Sequence, residues 1–261
     1  MKKWILRIGI VVVVLLVVGL FTVAMFMGTI IKKGVETVGP GITKTEMKLD
    51  GASVSILSGS GSIKGFLMGN PEGFTTPQAV KVGTVELGLK PMSVFSDKVH
   101  VTHVRMDGAD ITFETQGMNV MANNMNKILE NVEAAAGSSQ PKTTEPAKKG
   151  EGPSRKIQVD EFVIRGAKVG INSSILGGKT VTVPLPDIRL ENIGSGPEGV
   201  NAAELTKVVM EQVVPAVVKA AQDAIANVSK LVPGVIRDAG GSATNLLNKT
   251  GGIGDLFKKK Q

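Results

Sequence analysis

The feature of this 261-residue chain that most restricts its fold is a short segment repeated three times at nearly constant spacing. The copies are MKLDGASVSI at 47–56, VRMDGADITF at 104–113 and FVIRGAKVGI at 162–171, with Gly-Ala pairs beginning at Gly51, Gly108 and Gly166. Apolar residues alternate with period two on both sides of each pair, which is typical of a strand with one buried face. The repeats therefore predict a mainly β protein.

The alternation changes parity once at each Gly-Ala pair. Either a β-bulge within one long bent strand or a tight turn between two shorter strands would produce this change, and we favour the bulge. A similar slip occurs near Gly83, within the alternating residues 80–89. Further alternation at 181–190 is interrupted by Pro184 and Pro186, which mark an edge or a break. The chain thus supplies about six bent strands, or nine if the repeats are hairpins.

Two helices and a linker are predicted around these strands. Asn119 precedes a segment in which apolar residues share one helical face, namely Met121, Met125, Ile128, Leu129 and Val132. Asn201 and Glu204 resemble a capping box that opens a long amphipathic helix to about Leu231, and Pro215 should bend this helix. Residues 137–154 are rich in Pro, Gly, Ser, Thr and Lys and predict a disordered linker.

An uncharged apolar run, Ile8–Ile31, precedes the β region. As a helix it would be about 36 Å long, enough to cross a hydrocarbon core of roughly 30 Å. A cleavable signal peptide has a shorter apolar region and a small-residue cleavage site, so we favour an uncleaved signal anchor. The basic residues before the run, Lys2, Lys3 and Arg7, outnumber the two after it. This favours an N-terminus in the cytoplasm with the remainder outside.

Composition argues against several classes of function. The chain has no cysteine and two histidines, which excludes disulfides, thiolate catalysis and zinc–cysteine sites. The net charge is +7, but eight of the 30 basic residues lie in 1–33 or 258–260, leaving 22 against 23 acidic residues. A nucleic-acid footprint needs basic residues clustered on the folded body, so nucleic acid is not an expected partner.

No motif predicts catalysis, and we expect neither an enzyme nor a cofactor or metal site. Residues 174–180 miss the phosphate-binding loop pattern because a strand-like VTVPLP, not a helix, follows them. His100 and His103 are three apart on a strand and face opposite sides. Asp160 and Glu161 are adjacent on a strand and point apart as well.

Several segments carry a resemblance to a known family. They are the apolar anchor, LSGSGSIKGFLMGNPEGF at 57–74, KPMSVFSDKVHVTHVRMDGADITFE at 90–114, and KIQVDEFVIRGAKVGI with the later VTVPLPDIRLENIG. In these the chain resembles the AsmA-like family of bacterial envelope proteins over most of residues 40–195. The most specific element is a turn motif made by Gly69, Asn70, Pro71, Glu72, Gly73 and Phe74.

The resemblance implies an antiparallel β-sheet curved into a trough with an apolar inner face, anchored in the inner membrane and lying in the periplasm. The expected fold class is mainly β with helices: an N-terminal transmembrane helix, a curved antiparallel sheet and a long C-terminal amphipathic helix. The expected division is a cytoplasmic tip and signal anchor at 1–33, a first sheet part with a helix at 34–136, the linker at 137–154, a second sheet part at 155–195, and the C-terminal helix and basic tail at 196–261.

The family is similar to bridge-like lipid transporters and is associated with outer-membrane lipid homeostasis. The resemblance thus implies a role in outer-membrane biogenesis, in which the chain shelters phospholipid acyl chains or assists a larger lipid carrier. About six strands at roughly 4.8 Å each cannot bridge two membranes alone. The alternative is a structural or regulatory envelope protein that transports nothing, and a hydrolase is the weakest third possibility. Membrane lipids are the expected partners, and other envelope proteins or self-association are left open.

If the apolar strand face is a lipid groove, residues around the Gly-Ala pairs and on neighbouring strands should line it. These candidates are Val54, Ile56, Val85, Leu87, Leu89, Val104, Met106, Ile111, Phe113, Phe162, Ile164, Val169 and Ile171. An ordinary closed core beneath the C-terminal helix would bury the same side chains. With the resemblance included, the lipid groove and the closed core are about equally supported.

Overall fold

The computed structural model describes residue 4 and residues 27–55, 57–115, 119–138, 155–173 and 180–231. Three α-helices occur in these ranges, α1 (27–43), α2 (Asn124–Ser138) and α3 (Ala202–Leu231), with a short 3-10 helix at Pro91–Phe95. Ten strands form one mixed sheet. They are β1 (Met47–Lys48), β2 (Gly51–Ser55), β3 (Ser60–Met68), β4 (Val80–Leu89), β5 (Lys98–Asp107), β6 (Asp110–Glu114), β7 (Lys156–Arg165), β8 (Lys168–Asn172), β9 (Thr180–Pro184) and β10 (Ile188–Ile193).

The ten strands combine into six long ones. Both β1 and β2 pair with β3, both β5 and β6 pair with β4, and β5 and β6 pair in turn with β7 and β8. Strands β9 and β10 pair with β8 and β7 in the same way. Across the sheet the six long strands are β1–β2, β3, β4, β5–β6, β7–β8 and β9–β10, which is their order along the chain. The prediction of six bent strands is therefore confirmed, and the hairpin alternative is wrong.

One line crosses all six long strands at the point where either the strand itself or its pairing is interrupted. The pairing register is the same on both sides of this line, so each strand contributes one residue to it. These residues are Asp50, Gly65, Gly83, Gly108, Gly166 and Pro186, and we call the line the crease. Gly65, Gly108 and Gly166 adopt left-handed backbone conformations there, with φ of 61°, 66° and 57°. Glycine is the residue that adopts this conformation without a steric penalty.

The crease explains the parity change read from the sequence. Met106 and Ile111 are five positions apart, an odd step along a strand, yet both face the same cavity. Because neighbouring strands change parity at the same line, no strand gains a residue over its partner, and the predicted bulge at the Gly-Ala pairs is wrong. The register shift that does occur lies between Gly88 and Leu89, not near Gly83. The crease thus keeps the apolar side chains on the same face of the sheet in the two half-sheets, which are the parts of the sheet on either side of the crease.

Replacing Gly108 by alanine is expected to lower the free energy of unfolding by about 1–2 kcal/mol, because a β-carbon is strained in the left-handed region. Gly83→Ala is the matched control: it lies on the same crease, its φ is not left-handed, and an added β-carbon meets nothing within 4 Å at either position. The control should be neutral or slightly stabilising. Urea unfolding of both variants measures the difference, and equal losses would refute the role assigned to Gly108.

The predicted all-antiparallel sheet requires one correction. Strands β5 and β6 pair with β7 and β8 in parallel, whereas the other pairs are antiparallel. The parallel pair joins the second and third repeats in register, so that Asp107 lies opposite Arg165 and Ile111 opposite Val169. A parallel connection has to cross back over the sheet, usually through a helix. Helix α2 lies in this connection, and residues 139–154 of the predicted linker fall outside the described residues.

Helices α2 and α3 cover part of the sheet's inner face. The two pack together, and α3 also contacts strands from β6 to β10. The core between them contains side chains with no solvent exposure, including Phe113, Ile128, Val132, Ile171 and Val217. The predicted capping box of α3 is confirmed, since the Asn201 amide donates to Glu204 (2.7 Å) and the Glu204 amide donates to the Asn201 side chain (2.9 Å). The C-terminal helix is therefore confirmed, with Pro215 inside it.

Helix α1 extends to residue 43, ten residues past the predicted end of the anchor. Its Glu36 carboxylate accepts a hydrogen bond from the Leu49 amide (3.1 Å), and its Thr43 carbonyl accepts one from the Asn131 side chain of α2 (2.9 Å). Within the described ranges no helix is both long enough and apolar enough to cross a bilayer. Residues 8–26 of the predicted span lie outside those ranges.

Candidate functional site

An apolar cavity of about 550 Å³ lies between the sheet, α1 and the first half of α3. Strands β3 to β7 supply one wall, which includes Phe66, Val82 and Ile164. Helix α1 supplies the facing residues Ile31, Val35 and Ile42, and α3 supplies Leu205, Val209 and Val213. Because the crease passes through this wall, side chains from both half-sheets converge on one space.

The cavity reaches the surface between α1 and the first turns of α3. Gly34 and Val38 line it from α1, and both are exposed, with 52 % of Val38 accessible. Ala202, Leu205 and Thr206 line it from α3 and are half-buried. The mouth is thus an opening between two helices, and the floor is the sheet.

The lining offers a ligand almost no polar group. Among the described residues that line the cavity, Thr43 and Thr206 carry the only polar side chains, and both hydroxyls already donate within their own helices. Thr43 donates to the Gly39 carbonyl (3.0 Å), and Thr206 donates to the Ala202 carbonyl (2.7 Å). A molecule in this cavity would therefore be held by apolar contact area, without directional hydrogen bonds.

Four of the thirteen predicted groove residues line the cavity: Met106, Ile111, Phe162 and Ile164. Of these, Ile111, Phe162 and Ile164 are largely buried, with 3–6 % of each residue exposed. Phe113, Val169 and Ile171 are instead fully buried in the core and do not line it. Val54 and Val85 are buried away from it, and Leu87, Leu89 and Val104 are half-buried on the sheet. Ile56 lies outside the described residues. The structure thus divides the predicted face into a cavity wall and a covered core.

The helical half of the cavity was not among the predicted site residues. In α1, Val35, Val38 and Ile42 follow one another at helical spacing, but the predicted anchor ended before them. The matching face of α3, at Leu205, Val209 and Val213, recurs at intervals of four residues. This periodicity was the one signal available, because positions four apart share a helix face.

The family turn motif, residues 69–74, is held in place by a buried polar cluster. The Asn70 side chain donates to the Thr76 carbonyl (2.7 Å) and accepts from the Asn124 side chain (2.7 Å) at the start of α2. The Glu114 carboxylate accepts hydrogen bonds from the amides of Thr75 and Thr76, both at 2.8 Å, and from their hydroxyls. This Glu114 clamp joins the turn to the end of β6 and to α2.

The clamp also sets the ionisation of Glu114. Burial by itself raises the pKa of this carboxyl, but the hydrogen bonds from Thr76 and Thr75 together outweigh burial and lower the pKa below its ordinary value. The anion is therefore the form that the folded protein binds. Since the carboxylate faces a turn of its own chain, its evident role is to fix the turn.

A second polar cluster joins neighbouring strands β5 and β7. His100 Nε2 lies 2.7 and 2.8 Å from the two Asp160 oxygens, and the Gln158 side chain donates to Asp160 (2.9 Å). The hydrogen bond from His100 is the main reason that the pKa of Asp160 lies below its ordinary value, against the opposing effect of burial. In the part of the chain that the structure describes, no group of three His, Cys, Asp or Glu residues is placed to hold a metal ion.

Comparison with known proteins gives one match. The family model described as the AsmA family matches residues 1–183, which is well over half of the chain. No curated protein and no solved structure matches the chain. The match includes the turn motif, the Glu114 clamp and the sheet as far as β9.

Proposed function

The chain belongs to the AsmA family, and from that premise we propose that it is an inner-membrane-anchored, periplasmic protein of the bacterial cell envelope whose cavity shelters phospholipid acyl chains. It takes no part in chemical turnover. Its role is to hold the apolar part of a lipid during outer-membrane biogenesis, as part of a larger assembly.

The observation that carries this proposal is the size and lining of the cavity. Protein interiors are close-packed, and voids much larger than a water molecule are few. An apolar void of about 150 Å³ in another protein already binds a small aromatic molecule. The cavity here has about 550 Å³ and lies within the size range typical of ligand sites. Because it also opens between α1 and α3, it is a pocket of ligand size and not a sealed void in the core.

The chemistry of the lining favours acyl chains over other ligands. A nucleotide, sugar or peptide needs hydrogen-bond partners, and burying such polar groups without partners is costly. An acyl chain needs only apolar area, which contributes roughly 25 cal/mol per Å² when it is removed from water. The mouth between α1 and α3 would leave a lipid headgroup in solvent while its chains occupy the cavity.

The sheet's width supports a role within an assembly. Six long strands at about 4.8 Å give a width of about 25–30 Å, which is too little to connect two membranes, so we infer that the chain acts together with other proteins. A non-transporting structural or regulatory protein is the second candidate. The covered core at Phe113, Val169 and Ile171 favours it, because there the helices close over the strand face.

Gly34→Phe is expected to reduce bound phospholipid several-fold without loss of stability. Gly34 lies at the cavity mouth, and a β-carbon added there meets no other atom within 4 Å, so the position accepts a side chain and a phenyl ring can turn into the ligand's space. Replacing glycine in a helix by phenylalanine should itself stabilise α1 by about 0.5 kcal/mol.

Gly41→Phe provides the matched control, since Gly41 is also exposed in α1 with open space around it but does not line the cavity. Phospholipid per protein is measured on the purified full chain for both variants. Equal lipid content in Gly34→Phe and Gly41→Phe would rule out the cavity as the lipid site.

A further inference from the structure

One end of the sheet exposes three large apolar side chains. Leu57, in the turn between β2 and β3, is 85 % exposed, and Met92 and Phe95, in the 3-10 helix between β4 and β5, are 75 % and 61 % exposed. The two connections touch, because the Leu89 amide donates to the Gly59 carbonyl (2.7 Å). We call the turn at 57–59 and the segment 90–98 together the tip.

The tip is ordered by its own hydrogen bonds, although its apolar side chains face outward. The Lys90 amide donates to the His100 carbonyl (2.9 Å), and the Ser93 hydroxyl donates to the Lys90 carbonyl (2.7 Å). The Arg155 guanidinium, from the start of the neighbouring long strand, donates to the Val94 carbonyl (2.7 Å). Met92 and Phe95 are therefore held outward by a fixed scaffold.

Basic side chains lie beside the two apolar residues of the 3-10 helix. Lys90 and Lys98 flank the 3-10 helix, and Arg155 and Lys156 lie next to it at the start of β7. Among the described residues the acids near this segment are Asp97, Glu198 and Asp160, which interacts electrostatically with Lys90, so the four basic residues exceed the acidic ones by one. Exposed apolar side chains with Lys and Arg beside them are suited to the interface of an anionic bilayer, where the apolar groups enter and the cations meet headgroups.

The direction of α1 relates the tip to the membrane. Along α1, Gly28 packs against the Ala52 carbonyl, Glu36 binds the Leu49 amide, and Gly39 packs against Met47. Helix α1 therefore runs antiparallel to β1–β2, and its N-terminal end lies toward Ser55 and Leu57. Gly28 and Ile31 are the last residues of the apolar run that the sequence assigns to a membrane span, and they already lie beside the sheet.

From this juxtaposition we propose that the tip inserts Leu57, Met92 and Phe95 into the interface of the same anionic bilayer that holds the N-terminal apolar run. The inference rests on the anchor in the proposed function and adds a second contact with the membrane. Together, α1 and the tip fix the sheet's tilt over the bilayer.

The chain's lack of cysteine allows a direct test with single labels. The full chain carrying Met92→Cys is labelled with a polarity-sensitive fluorophore and reconstituted in vesicles of phosphatidylethanolamine and phosphatidylglycerol. Met121→Cys is the matched control, since Met121 is 60 % exposed and lies beyond β6, at the opposite end of the long strand. Nitroxide-bearing lipids should quench the label at 92 several-fold more strongly than the label at 121.

An alkaline wash of the same vesicles separates the two ways in which this could fail. If the chain stays integrated but the labels at 92 and 121 are quenched equally, the tip does not contact the bilayer and the anchor stands. If the wash releases the chain, the prediction of an N-terminal membrane anchor is wrong, and the proposed contact between the tip and the membrane is refuted as well. Stronger quenching at 92 in an integrated chain, weakened when phosphatidylcholine replaces phosphatidylglycerol, is the result we expect.

Discussion

Ile171→Asp should abolish folding, whereas Ile111→Asp should leave a folded protein that has lost its lipid. Ile171 has no solvent exposure and lies in the core, so an unpaired carboxylate there costs on the order of several kcal/mol. That is a large part of a typical domain's total stability of about 5–15 kcal/mol. Ile111 is also buried, at 3 % exposure, but it lines the cavity, so a carboxylate there can turn into the open space and be hydrated from the mouth at a smaller cost.

Two conservative variants control for position. Ile171→Val and Ile111→Val should each cost about 0.5–1.5 kcal/mol, because each removes one buried methylene group. Melting temperature and phospholipid content are measured together on all four proteins. If Ile111→Asp unfolds as completely as Ile171→Asp, the face is a closed core throughout, and if Ile111→Asp keeps its full lipid content, the cavity wall has been assigned incorrectly.

Glu114→Gln should destabilise the protein by about 2–4 kcal/mol. The carboxylate accepts four hydrogen bonds from Thr75 and Thr76, and an amide can accept at only one of its two terminal atoms. Hydrogen bonds to a charged group contribute about 1.5–3 kcal/mol each, and buried donors left unpaired add a penalty. Glu133→Gln, on the exposed side of α2, is the control and should change stability by less than about 0.5 kcal/mol.

The same clamp predicts a pH dependence of definite sign. The pKa of Glu114 is lower in the folded protein than its ordinary value of 4.5, so the folded state favours the anion. The stability from this group is fully present above the unfolded-state pKa and is lost as the pH falls through the folded-state pKa. The difference in unfolding free energy between wild type and Glu114→Gln should therefore shrink in acid. A difference that stays constant down to pH about 2 would contradict the clamp.

Much of the sheet could be predicted from local patterns. Period-two alternation identified the strands. The second and third Gly-Ala repeats located the interruption in the long strands β5–β6 and β7–β8, because glycine occupies the left-handed positions Gly108 and Gly166. The capping box at Asn201 was predictable since both of its hydrogen bonds join residues three apart. Each of these features depends on residues that are close together in the sequence, so it can be predicted from the sequence alone.

Features that depend on pairing between distant segments were not predictable in this way. Parallel pairing of β5 with β7 depends on how the chain crosses over through α2, about which alternation carries no information. The Glu114 clamp joins residues 38 and 39 positions apart, and nothing around Glu114 distinguishes it from an exposed acid. The crease became visible only when the strands were in register, because its members Asp50 and Pro186 do not share a residue type.

Only the sheet side of the cavity was predicted from the sequence, for a related reason. Strand periodicity identified an apolar face, and a single sequence cannot say which part of such a face is covered. The covering helices divide it: α2 and α3 close over Phe113 and Ile171, whereas α1 and α3 stand apart over Ile111 and Ile164. The apolar residues of α1 resemble those of the preceding span in composition, which concealed their role as the second cavity wall.

Native mass spectrometry of the purified full chain, released from detergent in the gas phase, tests the central claim most directly. The cavity predicts a species heavier than the bare chain by the mass of one phospholipid, and this species should be several-fold weaker in Gly34→Phe and unchanged in Gly41→Phe. A wild-type spectrum that contains only the bare chain, under conditions where the fold is intact, would contradict the assignment of the cavity to lipid.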